Sequence, residues 1–486
     1  MTNENHGSCQ DIIRSSDDSG NECETITVLT VDEAIDSIGT GRFQYLALFA
    51  AGTCFMADSM EIMLLSFLTI VLKKEWNLDA DNEDGTQSAT ISSILFLGAL
   101  VGTSILGPLG DKIGRKPILS ASTFLISVFG LATAACRNYL SLLALRFMVG
   151  FGVGGITVPF DILVELLPTN TRGKSLLLID LFWSFGSMLV PVVAYFTLEL
   201  ADSWRVFVIV CTIPCIISFV CGILFVPESP RWLLLQGRES EALDILRRAA
   251  SMNGIDPLLV FPEGCTLEDE SMPESSNYMD LFSKRWRERT LVVFSVCFGL
   301  SFCYYGTIGV VTEIFENGTD NGSNRNDEVH FDYSAIFISS SAEVLGLVLL
   351  ISTIDTFGRV PPQVVFYAAG GICLFLFCYR ANTEDRYVLV GLAFMTRMFE
   401  TAASCVTWIS TTEIFSTEIR STGHSAANAV AKLGGFLYPY LVSSNAPIKL
   451  VGGVMLFIHL CTSINASRIP ETKGVALGKA KFLKNL

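Results

Sequence analysis

Charge is scarce in this chain. Only 17% of the 486 residues are Asp, Glu, Lys or Arg, and half are hydrophobic, whereas a soluble protein carries about 25% charged residues. A net charge of −15 excludes the basic surface that a nucleic-acid partner requires. Residues 1–42 hold no apolar run that could serve as a signal peptide. None of the fourteen cysteines belongs to a close metal-type pair with matching partners. Most of them, Cys54, Cys211, Cys303 and Cys405 among them, lie in apolar runs where a free thiol behaves as a small hydrophobe. No nucleophile–base signature is present, so no enzyme, metal or cofactor is expected.

What the chain does have is long apolar segments and a repeat. The segments run at about 43–71, 89–109, 117–136, 139–160, 174–197 and 205–226, then at about 290–312, 333–354, 362–380, 386–409, 424–444 and 447–466. Each is about the ~20 residues that an α-helix needs to cross a bilayer. A charged turn, Gly107-Pro-Leu-Gly110-Asp111-Lys112-Ile-Gly114-Arg115-Lys116-Pro117, sits between the second and third. Its Asp, Gly, Arg and Pro return 244 residues later in Asp355-Thr-Phe-Gly358-Arg359-Val360-Pro361. Glu165 and Arg172 are echoed by Glu413 and Arg420, and Pro227-Glu228-Ser229 by Pro470-Glu471-Thr472. Three markers in one order at nearly one period mean tandem halves. The expected fold is an all-α membrane protein of twelve transmembrane helices in two pseudo-symmetric six-helix lobes, 43–226 and 290–466. A cytosolic linker (227–289) joins them, with an acidic, mostly disordered tail (1–42) before and a short tail (467–486) after.

Loop charge gives the orientation. Twenty-two Lys and Arg fall in loops and tails on the side of the termini and eight on the other, which by the positive-inside rule places both termini in the cytosol. Asn317-Gly-Thr and Asn321-Gly-Ser are then glycosylation sequons on the outer side. Two motifs are decoys. Gly150-Phe-Gly152-Val-Gly154-Gly155 lies within an apolar segment with no strand before it, where small residues let helices approach closely. The acidic stretch Asp79 to Gly85 has its Gly one position late for a calcium loop and no closing Glu.

Charges inside the apolar segments are expensive and normally face a cavity or a partner. Asp58 and Glu61 lie in the first segment, Arg146 in the fourth, Asp180 in the fifth, Glu343 in the eighth, and Arg397 and Glu400 in the tenth. At a rise of ~1.5 Å per residue, Asp58 stands roughly 22 Å above the inner end and Arg146 roughly 10 Å below the outer one. In a core ~30 Å thick these heights nearly coincide. Glu343 and Arg397 meet near the midplane by the same reckoning. One opposite-charge pair per lobe, Asp58–Arg146 and Glu343–Arg397, is therefore expected, as a coupling device or as a static packing bridge. Trp183, Tyr304, Tyr305, Trp408 and Asn428 are candidate cavity walls.

The motifs Gly107-x-x-Gly110-Asp111-x-x-Gly114-Arg115-Lys116, Arg146-Phe-x-x-Gly150-x-Gly152-x-Gly154-Gly155, Pro227-Glu-Ser-Pro-Arg-Trp232 and Pro470-Glu-Thr-Lys-Gly474 together resemble the major facilitator superfamily, on its sugar-porter and organic-ion side. Met56-Ala-Asp58-Ser-Met-Glu61, Ser301-Phe-Cys-Tyr304-Tyr305-Gly306 and Thr411-Thr-Glu413-Ile-Phe are similar to the synaptic-vesicle-two-related branch. The resemblance implies alternating access to a central cavity. It implies that Asp111, Arg115, Glu165 and Arg172 form one gate latch, and Asp355, Arg359, Glu413 and Arg420 a second, in which Val360 replaces a basic residue. It also implies that Asp58 and Arg146 are the proton-coupling pair, and that Glu61, Asp180, Trp183, Tyr304, Tyr305, Glu343, Arg397, Glu400 and Asn428 border the substrate. The expected partners are the lipid bilayer, a small organic solute (an organic ion, a zwitterion or a sugar-like molecule) and protons, with a monomer as the working unit. The membrane is a plasma or endomembrane-vesicle membrane. A receptor or scaffold that keeps the fold without transporting is the other reading.

Overall fold

The computed structural model describes residues 28–79, 85–262, 264–268, 278–316, 329–382, 385–415 and 419–473. The sequons at Asn317 and Asn321 lie outside them, as do the side chains of Arg172, Asp355 and Arg420. Within residues 1–42, which sequence reading placed in a mostly disordered tail, residues 28–38 form a short strand and a helix. β1 (Val28–Leu29) leads into α1 (Val31–Ile38). The reason is local: Thr30 and Glu33 make a reciprocal capping box, and Val31, Ala34, Ile35 and Ile38 fall on one buried face at helical spacing.

The first lobe comprises α2 (Arg42–Glu75), α3 (Thr86–Ile113), α4 (Arg115–Ala134), α5 (Tyr139–Val153) continued by α6 (Thr157–Leu166), α7 (Thr169–Ala194) and α8 (Trp204–Phe225). The joining segment forms α9 (Pro230–Leu235), α10 (Glu239–Met252), α11 (Pro257–Val260) and β2 (Thr266–Leu267), which pairs in parallel with β1. The second lobe comprises α12 (Arg287–Ile314), α13 (Tyr333–Phe357), α14 (Val360–Arg380), α15 (Arg386–Ile414), α16 (Arg420–Val442) and α17 (Ile448–Ala466). With α5 and α6 taken as one span, eleven helices among the described residues are long and apolar enough to cross a membrane. The twelfth, α16, carries His424, Asn428 and Lys432 four residues apart, which lowers its hydropathy.

Packing repeats in the two lobes. α2 lies on α7, α3 on α5, and α4 on α8; α12 lies on α16, α13 on α15, and α14 on α17 in the same pattern. Between lobes, α3 meets α16 and α7 meets α13, a symmetric exchange. The α3–α5 approach depends on Gly98 and Gly150: a Cβ on the first would strike the Phe147 carbonyl, and on the second the Leu95 carbonyl. This is the close approach that small residues permit between membrane helices. Exposed Phe124, Val220, Ile223, Val348, Ile351 and Phe457 turn apolar surface outward, as a lipid-facing wall requires.

The duplicated charged turns have matching geometry. Gly114 (φ 110°) and Gly358 (φ 88°) take backbone conformations that suit glycine and end the helices before the turns, α3 and α13. Glu228 accepts from the backbone N–H of Arg115 (2.9 Å) and Lys116 (3.2 Å), covering the free amides at the start of α4. Glu471 does the same for Arg359 (2.9 Å) and Val360 (3.0 Å) at α14. The Pro-Glu-Ser and Pro-Glu-Thr repeats are thus remote helix caps, each tying the end of its lobe to the turn.

Burial pushes the Glu471 carboxyl up, but the N–H groups of Arg359, Val360, Lys473 and Thr472 outweigh it and hold it below the usual glutamate range. A depressed carboxylate stabilises the folded state above its unfolded pKa, and that contribution fades as pH falls through the folded value. Glu471→Gln should therefore lower Tm in detergent by a few degrees at pH 7, with the gap to wild type narrowing below about pH 4, near the unfolded glutamate value. A gap that stays constant down to pH 3 would contradict the charged-cap assignment.

Candidate functional site

The buried charges gather where the lobes meet and inside each lobe. In the first lobe Arg146 is fully buried and its Nη1 donates to Glu61 Oε2 at 2.6 Å. The expected Asp58–Arg146 pair is not the one formed. Asp58 and Glu61 are three residues apart on α2, so they differ in height by about one turn and in direction by about 60°, a difference too fine for depth counting from the helix ends. Glu61 points into the lobe interior, beside Gly130 of α4. Asp58 points to the lobe interface, where the opposing charge is Lys432 of α16. Asp58 is 6% exposed and its Oδ1 has no hydrogen-bond partner among the described residues.

Glu343 and Arg397 meet at 2.8 Å in the second lobe, and the pair is part of a larger network. Glu343 Oε1 also accepts from Tyr304 OH (2.9 Å), and Oε2 accepts from Ser187 Oγ (2.8 Å) of the other lobe. Trp183 Nε1 of α7 donates to Tyr304 OH at 2.7 Å. One carboxylate thus collects Arg397, Tyr304 and Ser187 across the interface. Tyr305 packs at 4.9 Å between ring centres on Phe96 of α3. Asp180 interacts with Cys405 of α15, and Trp408 stacks edge-on against His424 of α16. Asn428 is buried on the same stripe of α16. Of the expected cavity residues, Glu400, like Glu61, turns away from the interface; it enters the second lobe, where it meets His459 of α17.

The lobes are joined unevenly along their length. Ser93 Oγ reaches the Phe436 carbonyl (2.8 Å), Thr312 reaches Ser66 (3.0 Å), and His330 lies 3.2 Å from Glu199. All three lie in the half of the bundle opposite the charged turns. The described latch contacts instead stay within one lobe. Arg115 meets Asp161 (3.2 Å), Glu165 (3.3 Å) and Asp111 (3.5 Å). Arg359 grips Glu413 with two hydrogen bonds (2.9 and 3.0 Å), and Glu413 also accepts from Thr472.

Sequence reading missed Lys432, His424, His459, Asp161 and the capping role of Glu228 and Glu471. His424, Asn428 and Lys432 follow one another at four-residue spacing, which is a helical stripe and was visible in the sequence. His459 stands alone in an apolar run and gave no such signal.

The family model described as sugar (and other) transporter matches residues 46–481. Synaptic vesicle 2-related protein of Rattus norvegicus is 29% identical over 465 residues, covering 92% of this chain and 82% of that protein. Organic cation/carnitine transporter 7 of Arabidopsis thaliana is 30% identical over 453 residues, covering 85% and 88%. Among solved structures, an inward-open conformation of the xylose transporter XylE from E. coli superposes with a TM-score of 0.67 at 18% identity, covering 89% of this chain and 97% of that one.

Removing one member of a buried ion pair leaves the other uncompensated, at a cost of about 3–5 kcal/mol. Arg146→Ala should therefore lower Tm in detergent sharply, while Arg146→Met combined with Glu61→Gln should recover most of the loss. Equal destabilisation by the single and double variants would show that Arg146 packs rather than pairs.

Proposed function

The chain belongs to the sugar (and other) transporter family, and we propose that it moves a small charged organic solute by alternating access, coupled to protons at Asp58. That it is a membrane transporter of the major facilitator superfamily, not an enzyme, follows from its relatives. The substrate and the coupling are our reading of the interface. The carrying observation is the arrangement of Asp58 and Lys432: opposite charges on different lobes, both buried, with no hydrogen bond between them. A solute bearing an ammonium and a carboxylate would complete both, and an organic ion would complete one. Lys432 offsets the acidic excess counted from sequence, so an anionic end is as well served as a cationic one. The name of the Arabidopsis relative, an organic cation/carnitine transporter, fits such a solute.

The same geometry supports coupling. Glu61 is neutralised by Arg146, whereas Asp58 depends on a charge that departs whenever the lobes separate. Its proton affinity then changes with conformation, and that dependence links proton binding to transport. The state described fits an inward-facing carrier with both termini in the cytosol: interlobe hydrogen bonds cluster away from the charged turns, and the superposed xylose transporter is inward-open. A vesicle membrane fits the synaptic-vesicle relative, and the sequons Asn317 and Asn321 would then face the lumen. Asp111, Arg115, Glu165 and Arg172, with Asp355, Arg359, Glu413 and Arg420, are read as the latches that reclose the cytosolic side.

Proteoliposomes holding the purified chain and screened with labelled zwitterions, organic ions and sugars give the test. Asp58→Asn should abolish accumulation driven by a pH gradient while exchange at equal concentrations survives. Lys432→Gln should weaken binding of carboxylate-bearing solutes at least tenfold. Gradient-driven accumulation by Asp58→Asn at the wild-type level would overturn the coupling role. Absence of exchange for every solute class would favour a receptor that keeps the fold.

A further inference from the structure

The second lobe encloses an acid–base pair that the transport reading leaves unused. Glu400 of α15 and His459 Nε2 of α17 are in direct hydrogen-bonding contact, and the two side chains are 1% and 0% exposed. His459 Nδ1 lies 2.7 Å from the Met455 carbonyl. A carbonyl only accepts, so Nδ1 carries a hydrogen. Nε2 faces a carboxylate oxygen, which when ionised also only accepts. A proton must therefore lie between Nε2 and Glu400, as imidazolium with carboxylate or as imidazole with carboxylic acid. Both descriptions hold the same number of protons and no net charge. Without that proton two lone pairs would face each other, with an uncompensated negative charge in the interior of a membrane lobe, which is costly.

The surroundings are shaped to the pair. α14 presents Gly370 and Gly371 in succession: a Cβ on the first would press on Glu400, and on the second on His459. The titratable groups turned towards the pair from the neighbouring helices are Cys303 of α12 and Tyr367 of α14; neither is a base that could replace His459. Arg397, one turn before Glu400 on α15, is taken by Glu343. The first lobe fills the corresponding interior with Glu61 and Arg146, beside Gly130 of α4. There the cation is arginine, which keeps its proton in proteins; here it is histidine, the side chain whose charge changes near neutral pH. Each lobe thus encloses one acid–base pair beside a glycine of its third span, from α2 and α5 in the first lobe and from α15 and α17 in the second, with a fixed cation in one and an exchangeable proton in the other.

We propose that Glu400 and His459 form a single-proton binding site of the second lobe, whose occupancy ties α15 to α17 and so links protonation to the helix that carries Arg397. The link to transport rests on the transporter reading above; proton binding does not. Infrared difference spectra of the purified protein, recorded across pH for wild type, Glu400→Gln and Glu400→Gln/His459→Gln, test it. The double variant keeps an amide–amide hydrogen bond without an ionisable proton, and Glu400→Gln alone can still donate to a neutral imidazole, so a folded comparison remains if either one fails. In wild type, a carboxyl and an imidazole band should change together in one step. That step should be missing from the variants at unchanged Tm, and the pH profile of uptake should lose one ionisation. Spectra of the variants that keep the joint step would overturn the proton site. A step that vanishes while the uptake profile is unmoved would overturn its link to transport. If no solute is transported by any of the proteins, the spectra alone decide the proton site.

Discussion

The carboxylate of Glu343 is the contact on which the arrangement of the two lobes depends. It is fully buried, yet it sits where two independent six-helix units meet, and such a charge is tolerated only when its lone pairs are filled. Arg397 and Tyr304 come from its own lobe and Ser187 from the other. Trp183, also from the other lobe, holds Tyr304 in place. Pulling the lobes apart here strips the carboxylate of Ser187, its partner from the other lobe. In a low-dielectric interior each such hydrogen bond counts for more than it would in water, and so does its loss.

Around that centre the duplicated halves do different work with related parts. Both turns are pinned by a distant glutamate that caps the helix after the turn, and both arginines of the turns reach an acid on the next span but one, Glu165 of α6 and Glu413 of α15. These bonds keep each lobe rigid as a unit. Rigid lobes suit the alternating access proposed above, in which an opening at one face is matched by a closing at the other. The lobes differ inside: Arg146 neutralises Glu61 permanently, whereas His459 shares one proton with Glu400.

The overall fold was legible in the sequence because hydrocarbon imposes a simple rule, long apolar helices with charge confined to the ends, and because duplication prints the rule twice. The Glu343–Arg397 pair was legible because each residue is the midplane charge of its helix. Depth counting failed for Asp58 and Glu61, which differ by one turn and by direction on α2, and only packing tells which of them enters the lobe. The α1 helix was missed although Thr30, Glu33 and the Val31–Ala34–Ile35–Ile38 spacing carry its signature; the acidity of the tail outweighed it. Lys432 was missed because a single charge in an otherwise apolar span leaves the apolar pattern that marks the span largely intact. His459 could not be found, since its role is set by Glu400, 59 residues away on another helix.

Electron spin resonance distances between labels carried at Lys112 and Phe357, exposed residues at the charged-turn ends of the two lobes, test the role of Glu343 most directly. Labels introduced as non-canonical residues avoid the native cysteines. If Glu343 holds the far side closed, wild type should show one long distance, and Glu343→Gln should add a shorter population as the far side releases and the turn side closes. Distance distributions that are the same in the two proteins, with both folded, would contradict the central place given to Glu343.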